Sequence, residues 1–123
     1  MLKSKIMKRN IIITLVGLVI LVVAGGVMYF QSDMFTRNQL DGQVNRMIQN
    51  KDHQKMKKLS VNKATYDFLK KTSVETKVSH TSDSQGGSDR LLYYVTTISG
   101  KDVSVYMKKT SQTSWELNSI GLQ

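Results

Sequence analysis

The 123 residues contain no cysteine. That absence excludes disulfides, thiolate metal sites, a cysteine nucleophile and a lipid-modified cysteine anchor. Acid is scarce too, with 9 Asp and Glu against 18 Lys and Arg, a formal net charge of +9. Such an excess suits a nucleic-acid binder until it is divided along the chain. Lys3, Lys5, Lys8 and Arg9 fall in residues 1–10 with no acid, while the other 14 basic and all nine acidic residues lie in 31–123. Between them, Ile11–Phe30 carries no charge at all.

Those 20 residues span about 30 Å as a helix, the thickness of a hydrocarbon core. Thirteen of them are Ile, Leu, Val or Phe, which together contribute roughly −4 to −8 kcal/mol towards insertion. Thr14 is expected to hydrogen-bond within its own helix, and Tyr29 and Phe30 to sit at the outer interface. By the positive-inside rule the basic run, Lys3, Lys5, Lys8 and Arg9, stays cytoplasmic and residues 31–123 lie outside the cell membrane. Small residues at Val22-Val23-Ala24 or Ala24-Gly25-Gly26 would suit a signal peptidase, but the apolar run exceeds the usual 7–15 residues of a signal sequence. A single-pass anchor is therefore expected. Gly17 lies eight or nine positions from Gly25 and Gly26, so no GxxxG dimer face is present.

Beyond the apolar run the pattern changes twice. Leu40, Val44, Met47 and Ile48 form one apolar stripe at helical spacing, with Ser32 or Asp33 suited to cap its start. Asn50 and Asp52 suit a break, and Asp52 can cap a short helix carrying Met56 and Leu59. Ser60 or Asn62 can cap a third piece with Tyr66, Phe68 and Leu69. The intervening lysines (Lys55, Lys57, Lys58, Lys63, Lys70 and Lys71) read as a solvated face. From residue 74 the period becomes two. Val74, Thr76 and Val78 alternate with Glu75, Lys77 and Ser79 as a first strand. Thr81–Asp89 reads as a flexible loop centred on Gly86-Gly87. Arg90–Ile98, Val103–Lys109 and Trp115–Ile120 follow as strands joined by polar turns. The expected fold is α+β, with helices packed on one face of a four-stranded antiparallel meander.

This layout resembles the cystatin-like, nuclear-transport-factor-two-like cone folds of small bacterial membrane-anchored proteins. The matching features lie within about residues 33–122: the helix break at Asp52 in "IQNKDHQKMKKLS", the polar strand turns, and the closing Trp115-x-Leu117-x-x-Ile120. The resemblance implies a fold that works through its surfaces or its concave sheet. Extracytoplasmic domains of type IV secretion and conjugation assembly proteins share the anchor-plus-cone plan but are usually longer. The Gln-x-Val-x-Gly loop of inhibitory cystatins has no counterpart at Gln43-Val44 or Gln85-Gly86-Gly87. A type IV pilin-like precursor would need Gly and Glu where Asn10 and Leu15 stand.

No catalytic constellation is visible. His53 and His80 lack spaced partners for a metal site, and there is neither a G-x-S-x-G elbow nor a P-loop. Gly86-Gly87 lies between strands, where a hairpin loop is expected rather than a phosphate cradle. Asp33, Asp41, Asp52 and Asp67 are dispersed, so neither an enzyme, a cofactor nor a metal is expected. Tyr93, Tyr94, Tyr106 and Trp115 fall on neighbouring strands and form the candidate ligand or partner surface. Arg90, Lys108 and Lys109 approach these aromatics, but the expected location opposes nucleic acid. The lysine-rich helices would instead face solvent, anionic lipid or wall polymer. The sequence thus predicts a non-enzymatic single-pass membrane protein whose external domain binds or scaffolds an envelope or membrane protein partner, in an envelope, secretion, conjugation or exclusion complex. A homo-oligomer is compatible with it. The alternative is an extracytoplasmic module holding a small apolar ligand or peptide in the concave sheet.

Overall fold

A computed structural model describes residues 2–123, with side chains from Lys5 onward; the side chain of Lys3 lies outside the described residues. The chain forms two compact units, Met1–Ser32 and Asp33–Gln123. The first is one helix, α1 (Leu2–Phe30). The basic residues Lys5, Lys8 and Arg9 continue the helix without a break. Within it, Lys5–Phe30 is long and apolar enough to cross a membrane, and its apolar side chains are exposed along its length. Thr14 Oγ1 donates to the Asn10 carbonyl at 2.8 Å, which satisfies the polar group inside the helix as expected.

The second unit is α+β. Helices α2 (Asp33–Gln49), α3 (His53–Leu59) and α4 (Lys63–Lys71) precede a sheet of β1 (Gly87–Ser88), β2 (Leu91–Ile98), β3 (Lys101–Ser111) and β4 (Ser114–Leu122). The strands lie in the order β1-β2-β3-β4, all antiparallel. Lys51 ends α2 at φ 48°, with the Lys51 N–H donating to Ile48 and the Asp52 N–H to Met47. This is the Schellman pattern, built here on a lysine rather than the usual glycine. Asp52 then accepts from the Lys55 N–H, and Asn62 from the Thr65 N–H, so both short helices begin on side-chain caps. Between β2 and β3, Ser99 (φ 51°) and Gly100 (φ 78°) make the two-residue turn that matches strand twist, pairing Ile98 with Lys101.

The apolar stripe of α2 supplies Leu40, Val44, Met47 and Ile48 to one core, with Met56, Leu59 and Leu69 from the next two helices. The inward residues of β2, β3 and β4 complete it: Tyr94, Ile98, Val103, Val105, Met107, Trp115, Leu117 and Ile120. Full burial of each such side chain contributes about 1.5–3 kcal/mol.

The first expected strand is not formed. Residues 74–75 lie in a turn, with the Thr76 N–H donating to Ser73, and only Ser79 pairs with Thr97. Val74, Thr76 and Val78 do not hold a strand once the Val78 N–H is taken by the Asn45 side chain (2.8 Å) and His80 adopts φ 53°. The edge of β2 is covered instead by the segment expected to be a flexible loop. Ser82 and Gln85 donate to Val95 and Tyr93, Gly86 accepts from Tyr93, and β1 pairs with Leu91 and Leu92.

Helix α2 holds this irregular edge with polar residues four apart. Asp33 accepts from the Ser84 N–H (3.2 Å) and Arg37 pairs with Asp83 (3.2 Å). Asp41 accepts from the Thr81 hydroxyl, and Asn45 takes Val78 as above. The opposite edge, β4, is held in a similar way. The Gln43 amide donates to the Trp115 carbonyl and accepts from the Leu117 N–H (3.0 Å). The Val61 N–H donates to Ile120, and Thr65 Oγ1 accepts from the Leu122 N–H (3.0 Å). Both edges of the sheet are thus closed by the helical layer and its connections.

Candidate functional site

The four aromatics do not share one surface. Tyr93 and Tyr106 are cross-strand neighbours on the face away from the helices, with ring centroids 5.1 Å apart. There the Tyr93 hydroxyl lies 3.1 Å from Ser104 Oγ and accepts from the Gln123 amide, and Tyr106 remains 37% exposed. Tyr94 points the other way and is fully buried, its hydroxyl donating to Asp33 Oδ1 at 2.6 Å. Burial, and then the hydrogen bond and negative charge of Asp33, push the Tyr94 phenol well above its ordinary range. Trp115 is also buried, at 6% exposure, on the helix side of β4. The space expected to offer a concave pocket is occupied by Leu40, Val44, Ile48, Leu69, Tyr94 and Val105, all fully buried. Two of the aromatics are therefore core and two belong to the outer sheet face, because successive strand residues alternate sides.

Sequence reasoning missed a different place. Beside Trp115, a cleft of about 560 Å³ opens between α2, α3 and the β3–β4 hairpin. Its floor includes Leu59, Trp115 and Leu117, and its walls carry Arg46, Lys55, Lys58 and Lys108 against a single acid, Glu116. Lys55 and Lys58 share a helix face at i, i+3, while Met56 and Leu59 anchor α3 to the core. Lys108 is brought opposite Glu116 by the β3–β4 register, in which Asn118 is the extra residue of a bulge. Lys109 places its ammonium 6.0 Å from the centre of the Trp115 ring. Gly42 leaves room for Arg46, whose guanidinium would lie 3.4 Å from a Cβ at that position.

Among the described residues the ion pairs belong to Arg37, which meets Asp83 and, at 3.6 Å, Asp33. None of the four cations lining the cleft has a carboxylate within ion-pair distance. The signal available in the sequence was the Lys55/Lys58 spacing alone. It marks a face of α3 but says nothing of Arg46 or Lys108. No group of three His, Cys, Asp or Glu side chains is assembled for a metal among the described residues; His53 begins α3, and His80 lies in the segment between α4 and β1. Comparison with protein-family models, with curated proteins and with solved structures gave no match, so the geometry itself carries the functional reading.

Proposed function

We propose that this chain is a single-pass membrane protein, with a cytoplasmic N-terminus and an extracytoplasmic domain of cystatin-like plan. Its work is non-catalytic: the domain binds or scaffolds a partner at the membrane surface, as a subunit of an envelope, secretion, conjugation or exclusion complex. The observation that carries this reading is α1. Its 26-residue stretch Lys5–Phe30 exposes its apolar side chains, an arrangement costly in water and favourable in hydrocarbon. Lys5, Lys8 and Arg9 sit at one end of it and no cation sits in the last turn at the other. A filled core supports recognition at the domain's surface rather than inside it.

Orientation is measured directly, because a chain without cysteine accepts single cysteines as clean reporters. Ser88→Cys and Lys8→Cys are each labelled in intact cells with a membrane-impermeant maleimide. Labelling at residue 88 but not at residue 8 is the expected result. The reverse pattern, or recovery of the chain in the soluble fraction, overturns the anchor. Photo-crosslinking from exposed positions Arg46 and Lys108 then tests the partner. Adducts with one membrane or envelope protein support the scaffold role, and their absence refutes it.

A further inference from the structure

Some cations of the lysine-rich surface have neighbours that use them: Lys70 lies over the Tyr66 ring at 5.9 Å and Lys101 over Phe68 at 5.6 Å. Arg46, Lys55, Lys58 and Lys108 line one concavity, and none of them has an ion-pair partner. Like charges gathered around a low-dielectric floor repel one another, and a concave wall focuses their field outward. An anion entering the cleft relieves that repulsion.

The chemistry of the cations narrows the anion. Three of the four are lysines, compact point charges on flexible stems, which bind phosphate without demanding a planar partner. Arginine, whose fork makes paired hydrogen bonds with carboxylate and phosphate alike, supplies one of the four, so the site relies mainly on the point charges by which lysine binds phosphate. The cations also come from three elements, α2, α3 and β3, so they are distributed along the cleft rather than clustered on one atom. A distributed set of point charges fits repeated charges on a chain better than one compact ion. The apolar floor of Leu59, Trp115 and Leu117 suits the uncharged atoms between those charges.

We infer that the cleft bounded by Arg46, Lys55, Lys58 and Lys108 binds a linear polyanion whose charges are phosphates. The inference deepens the binding role proposed above by giving that domain a class of ligand. Trp115 is the only tryptophan in the chain and lines the cleft, so it reports occupancy.

The test titrates the full-length protein, in nanodiscs of neutral phosphatidylcholine, with linear inorganic polyphosphate while following Trp115 fluorescence. A saturable change is expected, with log Kd rising against log salt at a slope of roughly 3 for four cations released onto a flexible chain. Lys55→Glu/Lys58→Glu should raise Kd at least tenfold. Lys71→Glu/Lys77→Glu makes the same change in net charge at two exposed positions outside the cleft, and should leave Kd within threefold. Equal weakening by both pairs, or no fluorescence change in the folded protein, overturns the inference. Tighter binding of polyglutamate than of polyphosphate also overturns it, in favour of an acidic peptide. Discs containing phosphatidylglycerol should leave the polyphosphate Kd within threefold; strong competition by them identifies a lipid headgroup as occupant and overturns the polymer. Failure here is distinguishable from failure of the membrane-anchor reading, which cysteine labelling tests in cells without any ligand.

Discussion

The Tyr94–Asp33 contact predicts an unusual dependence of stability on pH. Tyr94→Phe removes one buried hydroxyl and leaves Asp33 with the Ser84 N–H and the Arg37 guanidinium. A hydrogen bond to a charged group contributes about 1.5–3 kcal/mol, so the substitution should cost about 2 kcal/mol at pH 8. In the folded protein the Tyr94 pKa is raised, first by burial and then by Asp33. Below pH ~10 the phenol is neutral in both folded and unfolded chains, and its contribution is fully present. Above that pH the unfolded chain loses the proton while the folded one keeps it, so stability falls as pH rises. By pH 11 the loss from this one group is on the order of 1 kcal/mol. The gap between wild type and Tyr94→Phe should therefore fall by roughly half between pH 8 and pH 11. Urea titrations followed by Trp115 fluorescence, on both full-length proteins in a non-ionic detergent, measure that gap. Titration of the lysines and the other tyrosines is common to both chains and cancels in the difference. A gap that stays constant from pH 8 to 11, or is below about 0.5 kcal/mol at pH 8, would refute the assignment.

Three further substitutions probe the frame in the same urea assay. Gln43→Ala leaves the Trp115 carbonyl and Leu117 N–H without their side-chain partner, and should lower stability by about 2 kcal/mol for two lost hydrogen bonds. Lys51→Gly relieves the left-handed residue at the end of α2. The gain should be about 0.5–1 kcal/mol, since the relief of roughly 1–2 kcal/mol is partly offset by glycine's greater freedom when unfolded. Gly87→Ala places a Cβ against the Leu91 carbonyl at φ 120°, so it should cost on the order of 1–3 kcal/mol. The loss should be accompanied by faster amide exchange at Tyr93, whose N–H donates to Gly86 beside the strained position.

Much of the frame was legible in the sequence where local chemistry decides it. The stripe Leu40, Val44, Met47 and Ile48 is buried as its spacing requires, and Asp52 and Asn62 cap the helices that their positions suggested. Arg90–Ile98 and Val103–Lys109 form strands at nearly the expected limits, because aromatic and β-branched residues alternate over a full strand length. Val74–Ser79 misled because a short alternation is satisfied equally well by a turn and an extended run. The true edge, residues 79–88, looked like loop because its partners include Asp33, Arg37 and Asp41, some 40–50 positions earlier. The cleft was hidden for a related reason. Lys55 and Lys58 reveal their common face, but the convergence with Arg46 and Lys108 exists only after three elements have packed.

Because both margins of the sheet are already occupied, an incoming peptide finds little free backbone with which to extend it. On one margin Gln43, Val61 and Thr65 engage the groups that β4 would offer. On the other, a ragged segment ending in two paired residues stands where a long template would be needed. This arrangement disfavours runaway strand-to-strand assembly at high local concentration. It also selects how the domain can be read. Recognition by strand addition, which matches main chain to main chain and tolerates many sequences, is disfavoured. In the partner-binding role proposed above, a partner would have to distinguish side chains, and changes at a few surface positions would be enough to exchange one partner for another.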